Sequence, residues 1–191
     1  MLVVAFSATA CGGSSGSGAG GATKGTGAGP LPVNTGPAPW PAPSDARARI
    51  LAAGLPALGR EVLNYHVHAH LDVFVDGKPE AVPALLGIDV QAGVISPLHT
   101  HDTSGIIHME AAAPATFTLG QLFIEWGVRL DDRCTGGYCA PGEPTKVYVD
   151  GTPHQGAAGS VALKDAQEVA MVIGAPPAQI PSHYNPGGTS G

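Results

Sequence analysis

Residues 65–77 read YHVHAHLDVFVDG, and the fold turns on this stretch. From Tyr65 to Val75 polar and apolar side chains alternate with the two-residue period of a β-strand, and the run ends in Val73, Phe74 and Val75, which suit a pleated surface. Asp76-Gly77 is the pair that tolerates the left-handed backbone of a two-residue hairpin turn. A return segment is expected from Glu80 to Ile88, where Pro83 marks an edge because proline has no N–H to give a ladder. Successive side chains of a strand point to opposite faces, so His66, His68 and His70 emerge on one side.

The stretch 97–110, PLHTHDTSGIIHME, carries three more of the chain's eight histidines. Its turn-forming run Asp102-Thr103-Ser104-Gly105 predicts a tight hairpin, with His99 and His101 on one arm and His108 on the other. His99 and His101 share a face by alternation, as do His108 and Glu110, whereas Met109 turns to the opposite face and reads as core. Two segments with the same alternation predict one shared site.

Downstream, Thr118 to Gly127 (TLGQLFIEWG) predicts a two-turn helix with Thr118 as N-cap and Gly127 as its stop. Leu119, Leu122, Phe123 and Trp126 fall at i, i+3, i+4 and i+7, the spacing of a core-facing stripe. Lys146 to Gly151 (KVYVDG) repeats the strand-and-turn pattern of residues 73–77, and Glu168 to Gly174 (EVAMVIG) predicts a last strand. Upstream, Ser44-Asp45 before ARARILAAG reads as the start of a short helix that Gly54 and Pro56 stop. The order hairpin, insertion, short helix, strand, loop with LKDAQEV, strand resembles the β-grasp (ubiquitin-like) arrangement. That resemblance implies an α+β class: a small mixed sheet crossed by one short helix, with the His-rich hairpin inserted. The alternative is a small β-barrel or cupin. Gly93-x5-His99-x-His101 is similar to the opening of a cupin metal motif, but the glutamate that motif expects next is absent.

Composition divides the chain into parts. Residues 1–11, MLVVAFSATAC, resemble a bacterial lipoprotein signal, which implies lipidation of Cys11 and attachment to the outer face of a cell membrane or residence in the periplasm. Residues 12–43 are rich in Gly, Ser, Ala and Pro without a hydrophobic period and read as a tether, flexible first and stiffer where prolines gather. The globular domain is expected over 44–180, with a loose Pro- and Gly-rich tail over 181–191. Once Cys11 is set aside, Cys134 and Cys139 remain, in DDRCTGGYCAPGE. The Gly-rich loop between them lets the sulfurs meet, so a disulfide is expected in an oxidising compartment; a zinc pair would need two more soft ligands nearby. With a formal net charge of -6 and nine basic residues scattered singly, the chain lacks a basic patch to follow a phosphate backbone, which excludes nucleic acid as a partner.

At the level of motif, HVHAHLDVFVDG, PLHTHDTSGIIHME and FTLGQLFIEWG are together similar to a family of exported bacterial and archaeal proteins carrying LHTHDTSGIIH and FTLGQ signatures. The resemblance spans most of the folded region and implies neither a reaction nor a ligand. Function therefore has to come from the side chains.

Neutral imidazole is a common ligand for zinc and copper, and His-x-His on a strand sends two rings to one side about 6 to 7 Å apart at the backbone. His66 and His70 start about 13 Å apart, so two of the first three rings are expected to bind: His68 and His70, with His66 in reserve. His99, His101 and His108 complete the set around one Cu(II) or Zn(II) ion. Asp102 is placed to hold a ring N–H, and either Glu110 or Asp102 could act as a base on metal-bound water. His154 and His183 stand alone and read as surface residues. Three classes follow: a lipid-anchored binding module that captures or delivers metal, a metal-dependent enzyme with an activated water, and a structural ion or histidine–carboxylate network in an interaction domain. The chain has no nucleophile elbow, phosphate loop or dinucleotide fingerprint.

Overall fold

A strand does run from Tyr65 to Val75 (β1), and it forms the spine of the sheet. The computed structural model describes residues 30–184; the segment 1–11 with Cys11, residues 12–29 of the tether and residues 185–191 lie outside that range. In chain order, β1 follows helix α1 (Ala46–Ala52) and precedes β2 (Lys78–Glu80), β3 (Ile88–Asp89), β4 (Val94–Ile95), β5 (Leu98–His99), β6 (Ile106–Ala111) and β7 (Phe117–Thr118). Helix α2 (Leu119–Trp126), β8 (Cys134–Thr135), β9 (Tyr138–Cys139), β10 (Thr145–Val149), β11 (Thr152–Pro153), β12 (Ala162–Leu163) and β13 (Gln167–Ile173) complete the order.

The main sheet runs β11-β10-β13-β1-β6-β5, with β2 also on β1. Its central pair, β1 with β13, is parallel, from Ala69↔Gln167 to Val75↔Ile173. The neighbouring pairs are antiparallel, so the sheet is mixed, as a β-grasp order requires. It is open, with β11 and β5 as its ends, which sets aside the barrel and cupin alternatives. The turn after β1 forms as the sequence demands, with Asp76 at φ 48° and Gly77 at φ 75°.

The return strand departs from expectation. Only Lys78–Glu80 pairs with β1, at Val75↔Lys78 to Val73↔Glu80, and residues 81–87 leave the sheet. A chain carrying Pro79 and Pro83 offers too few N–H groups to sustain a ladder. The amino-terminal half of β1 is paired instead by β6, from Tyr65↔Ala111 to His70↔Ile106. One long strand thus takes two partners end to end along the same edge, and the second of them carries His108 and Glu110.

Alternate residues of the sheet, Ala69, Leu71 and Val73 of β1, Ile107 and Met109 of β6, and Val169, Met171 and Ile173 of β13, form one buried face. Leu119, Leu122, Phe123 and Trp126 of α2 close over it together with Ile50 of α1. Burying each such side chain is worth about 1.5–3 kcal/mol. Helix α2 begins with a capping box: Thr118 accepts from the Gln121 backbone N–H, Gln121 accepts from that of Thr118, and Gly127 at φ 69° ends the helix. At α1, Asp45 stands at the N-cap but its carboxylate does not cap; it accepts from Arg49 Nε at 2.6 Å.

Trp40, in the Pro-rich stretch that composition assigns to the tether, is 2% exposed. It meets Trp126 and Tyr138 edge-to-face at centroid distances of 5.7 and 6.1 Å, and its carbonyl accepts from Trp126 Nε1 at 2.9 Å. Cys134 and Cys139 face each other across β8 and β9 and are joined as a disulfide.

Candidate metal centre

The face of the sheet opposite the core is built from the even-numbered residues of β1. Ala69, Leu71 and Val73 point into the core, so His66, His68, His70 and Asp72 point away from it. Strand β6 is in register such that His68 lies opposite His108 and His66 opposite Glu110. Strand β5 adds His99 opposite His108, while its Leu98 joins Met109 in the core. Period two and antiparallel register therefore bring rings from three strands to one side.

Four of those rings, His66, His68, His99 and His108, meet one another and His101, which lies just beyond β5. His108 Nδ1 lies 3.1 Å from His68 Nε2 and 3.2 Å from His66 Nε2. His99 Nε2 lies 3.2 Å from His101 Nε2, and the His101 and His108 ring centroids are 4.5 Å apart. Glu110 sits beneath them, 2% exposed, with Oε1 at 3.5 Å from His66 Nε2 and 3.8 Å from His99 Nε2. Its other oxygen accepts from Val62 N at 3.2 Å. Glu61, one residue earlier, brings Oε1 to 3.4 Å from His101 Nε2.

Burial sets the protonation of this group. His99 is fully buried, which lowers its pKa to about 3, and the neighbouring rings of His101 and His108 push in the same direction. Burial and the facing histidines lower His108 to about 4, and His68 is lowered by burial and by His66. Desolvation raises the Glu110 carboxyl, aided by the charge of Glu61. The Ser96 carbonyl, which can only accept, lies 2.8 Å from His99 Nδ1 and so assigns the ring proton to that nitrogen. The lone pair of His99 Nε2 then faces His101 and Glu110.

His66, rather than His70, joins His68 in this cluster. Both nitrogens of His70 are taken: Nδ1 lies 2.9 Å from Glu168 Oε2, and Nε2 donates to the Ser104 carbonyl at 2.8 Å. Burial lowers its pKa, but the hydrogen bond and charge of Glu168 outweigh that, so the net shift is upward. Tyr184 stacks on it at 5.4 Å. His70, Asp72 and Glu168 form a separate group whose ligand atoms lie within 4.8 Å of one another. The alternation in the sequence put His70 on the face of its strand neighbours correctly but carried no sign of Glu168, which arrives through the parallel pairing His70↔Glu168.

Asp102 does not hold a ring. Its Oδ1 accepts from Ser104 N at 2.8 Å, closing the turn of the hairpin, and hydrogen bonds from Ser104 lower its pKa. His154 pairs with Ser160 Oγ at 3.2 Å and His183 with Ser182 Oγ at 3.1 Å, both apart from the cluster. Glu61 and Ser96 carry no signal in the sequence, since neither lies in a periodic run. Two clefts, of about 770 and 430 Å³, open elsewhere, and neither is lined by a ring of the cluster.

The described residues thus hold several groups of histidine and carboxylate able to take a metal ion: His66/His68/His108, His99/His101/His108, Glu61/His99/Glu110 and His70/Asp72/Glu168. The chain has no significant match among protein families, curated proteins or solved structures.

Proposed function

We propose that this chain is an extracytoplasmic, lipid-anchored protein that binds copper or zinc through its histidine cluster, for capture or delivery of the ion. The observation that carries the reading is the position of His108 Nδ1, 3.1 Å from one ring nitrogen and 3.2 Å from another. A ring nitrogen has either one proton or one lone pair, so it can complete one of these hydrogen bonds and leaves the other contact unsatisfied. An ion removes the conflict. With metal–nitrogen bonds of about 2.0–2.1 Å, the edge of a coordination tetrahedron is about 3.3–3.4 Å, close to the separations here. Rings held neutral by burial need lose no proton before they bind.

Nitrogen donors without thiolate suit Cu(II) and Zn(II), and the Irving–Williams order favours copper where it is available. The lipid anchor rests on the sequence pattern that ends at Cys11, and the Cys134–Cys139 disulfide is in keeping with an oxidising compartment. Binding is favoured over catalysis because Asp102, one of the two candidate bases, is spent on a turn.

Elemental analysis of the purified chain, followed by titration with Cu(II) and Zn(II), tests the reading. Changing His99 and His101 together to Ala should cut metal uptake, and His154→Ala should leave it unchanged. Equal uptake by parent and double variant rejects the site.

A further inference from the structure

The cluster holds more donors than one ion takes. From end to end they form a chain: His68 Nε2, His108 Nδ1, His66 Nε2, Glu110 Oε1, His99 Nε2, His101 Nε2 and Glu61 Oε1, with successive separations of 3.1, 3.2, 3.5, 3.8, 3.2 and 3.4 Å. Zinc or copper with imidazole and carboxylate ligands is filled by four to six donors, and two donors on opposite sides of one ion are at most about 4.2 Å apart. Among the described residues, His66 and His68 share no group of ligand atoms within 4.8 Å with either His99 or His101. One ion cannot gather all of them.

Building on the proposed metal-binding function, we propose that the cluster is a two-ion centre bridged by the Glu110 carboxylate. The first ion is held by His66, His68 and His108; His108 Nδ1 is already at polyhedron-edge spacing from the other two, and all three ligand atoms lie within 4.8 Å of one another. The second is held by His99 and Glu61, whose ligand atoms form with Glu110 a group within 4.8 Å of one another, and by His101, 3.2 Å from His99 and 3.4 Å from Glu61. Glu110 Oε1 lies about one polyhedron edge from His66 on one side and slightly further from His99 on the other, the position of an oxygen shared by two cations.

Charge supports the same division. A buried carboxylate with no cation costs several kcal/mol, and no Lys or Arg forms an ion pair with Glu110 among the described residues. Its one backbone donor, Val62 N, engages Oε2, while Oε1 lies beside the rings of His66 and His99 and the carboxylate of Glu61 is close by. The two ions also sit differently. The first is bound by three rings rooted in the ladders of β1 and β6, whereas the second depends on His101 and Glu61, which are both exposed and lie beyond strand ends. The first site is therefore preorganised, and the second binds more weakly and exchanges more readily.

The test counts ions in the full chain carrying Cys11→Ser, His154→Ala and His183→Ala, which removes the Cys11 thiol and the two histidines that belong to no group of candidate ligands; His70, which lies apart from the cluster with Asp72 and Glu168, is common to every variant. After equilibration with Zn(II) and dialysis, this background should bind two equivalents, the second at least tenfold weaker by calorimetry. Adding Glu61→Ala and His101→Ala should leave one equivalent at the tighter affinity. Adding His66→Ala and His68→Ala should leave one equivalent at the weaker affinity. Glu110→Gln should weaken both at least tenfold. A single equivalent in the background protein, a count that needs no further substitution, overturns the two-ion centre but leaves the metal-binding reading standing. No zinc, together with no Cu(II) when the count is repeated with that ion, overturns both. Loss of the same single equivalent in both double variants likewise rules out two separate sites.

Discussion

Glu125 offers a measurement of burial that is independent of any metal. It lies on α2, 1% exposed, with Oε1 2.5 Å from Ser96 Oγ and Oε2 without a hydrogen-bond partner. Burial raises its pKa to about 8, partly offset by the Ser96 hydrogen bond. The folded chain therefore keeps a proton that the unfolded chain releases above the ordinary glutamate value of 4.5. The stabilisation from the neutral carboxyl is complete below pH 4.5 and declines until the folded form itself ionises near 8. Between pH 4.5 and 7 the cost is 2.5 pH units at about 1.36 kcal/mol each, about 3 kcal/mol in all.

Glu125→Gln removes the ionisation and keeps the shape. Any constant cost of placing an amide there is the same at every pH, so the quantity to read is the slope. The stability of the Gln variant minus that of the parent, from urea midpoints at constant ionic strength, should rise by about 3 kcal/mol from pH 4.5 to 7 and level off above 8. For a domain of this size that is roughly 6–12 °C in relative Tm. The measurement is made on metal-free protein, so uptake by the histidines does not enter. A difference that stays flat across this range would refute the argument that Glu125 is neutral in the folded state.

Metal uptake should persist in mildly acidic solution, because His99 and His108 stay neutral down to about 3 and 4. The pH of half-uptake is expected below the ordinary histidine value of about 6.5, and a midpoint at or above it in a pH-dependent zinc titration would contradict the assigned burial. Trp40→Ala should destabilise the chain by about 3–5 kcal/mol, since it empties a site packed against Trp126 and Tyr138. Chemical denaturation with the same slope and a lower midpoint is the expected result, and an unchanged midpoint would show that the stretch before residue 44 adds nothing to the domain.

Local periodicity accounts for the elements of this fold that are legible in the amino-acid order. Alternation over residues 65–75, the Asp76-Gly77 turn, the capping box at Thr118 and the stripe on α2 all have causes within a few residues of one another, so β1, its turn and α2 stand where the pattern puts them. The same alternation places the histidines of β1, β5 and β6 on common faces without reference to which strands pair. Partnership, by contrast, is decided only when the chain folds up. His66 takes the place expected of His70 because β13 brings Glu168, 98 residues further on, against His70 through a parallel pairing that leaves no local trace. Glu110 meets the rings because β6, not the proline-bearing return segment, pairs with the first half of β1. Glu61 arrives on an irregular segment with no period to read, and Trp40 packs against an aromatic pair far along the chain. Period is a property of neighbours in sequence, whereas a metal site is a property of neighbours in space, and register between distant strands is what converts one into the other.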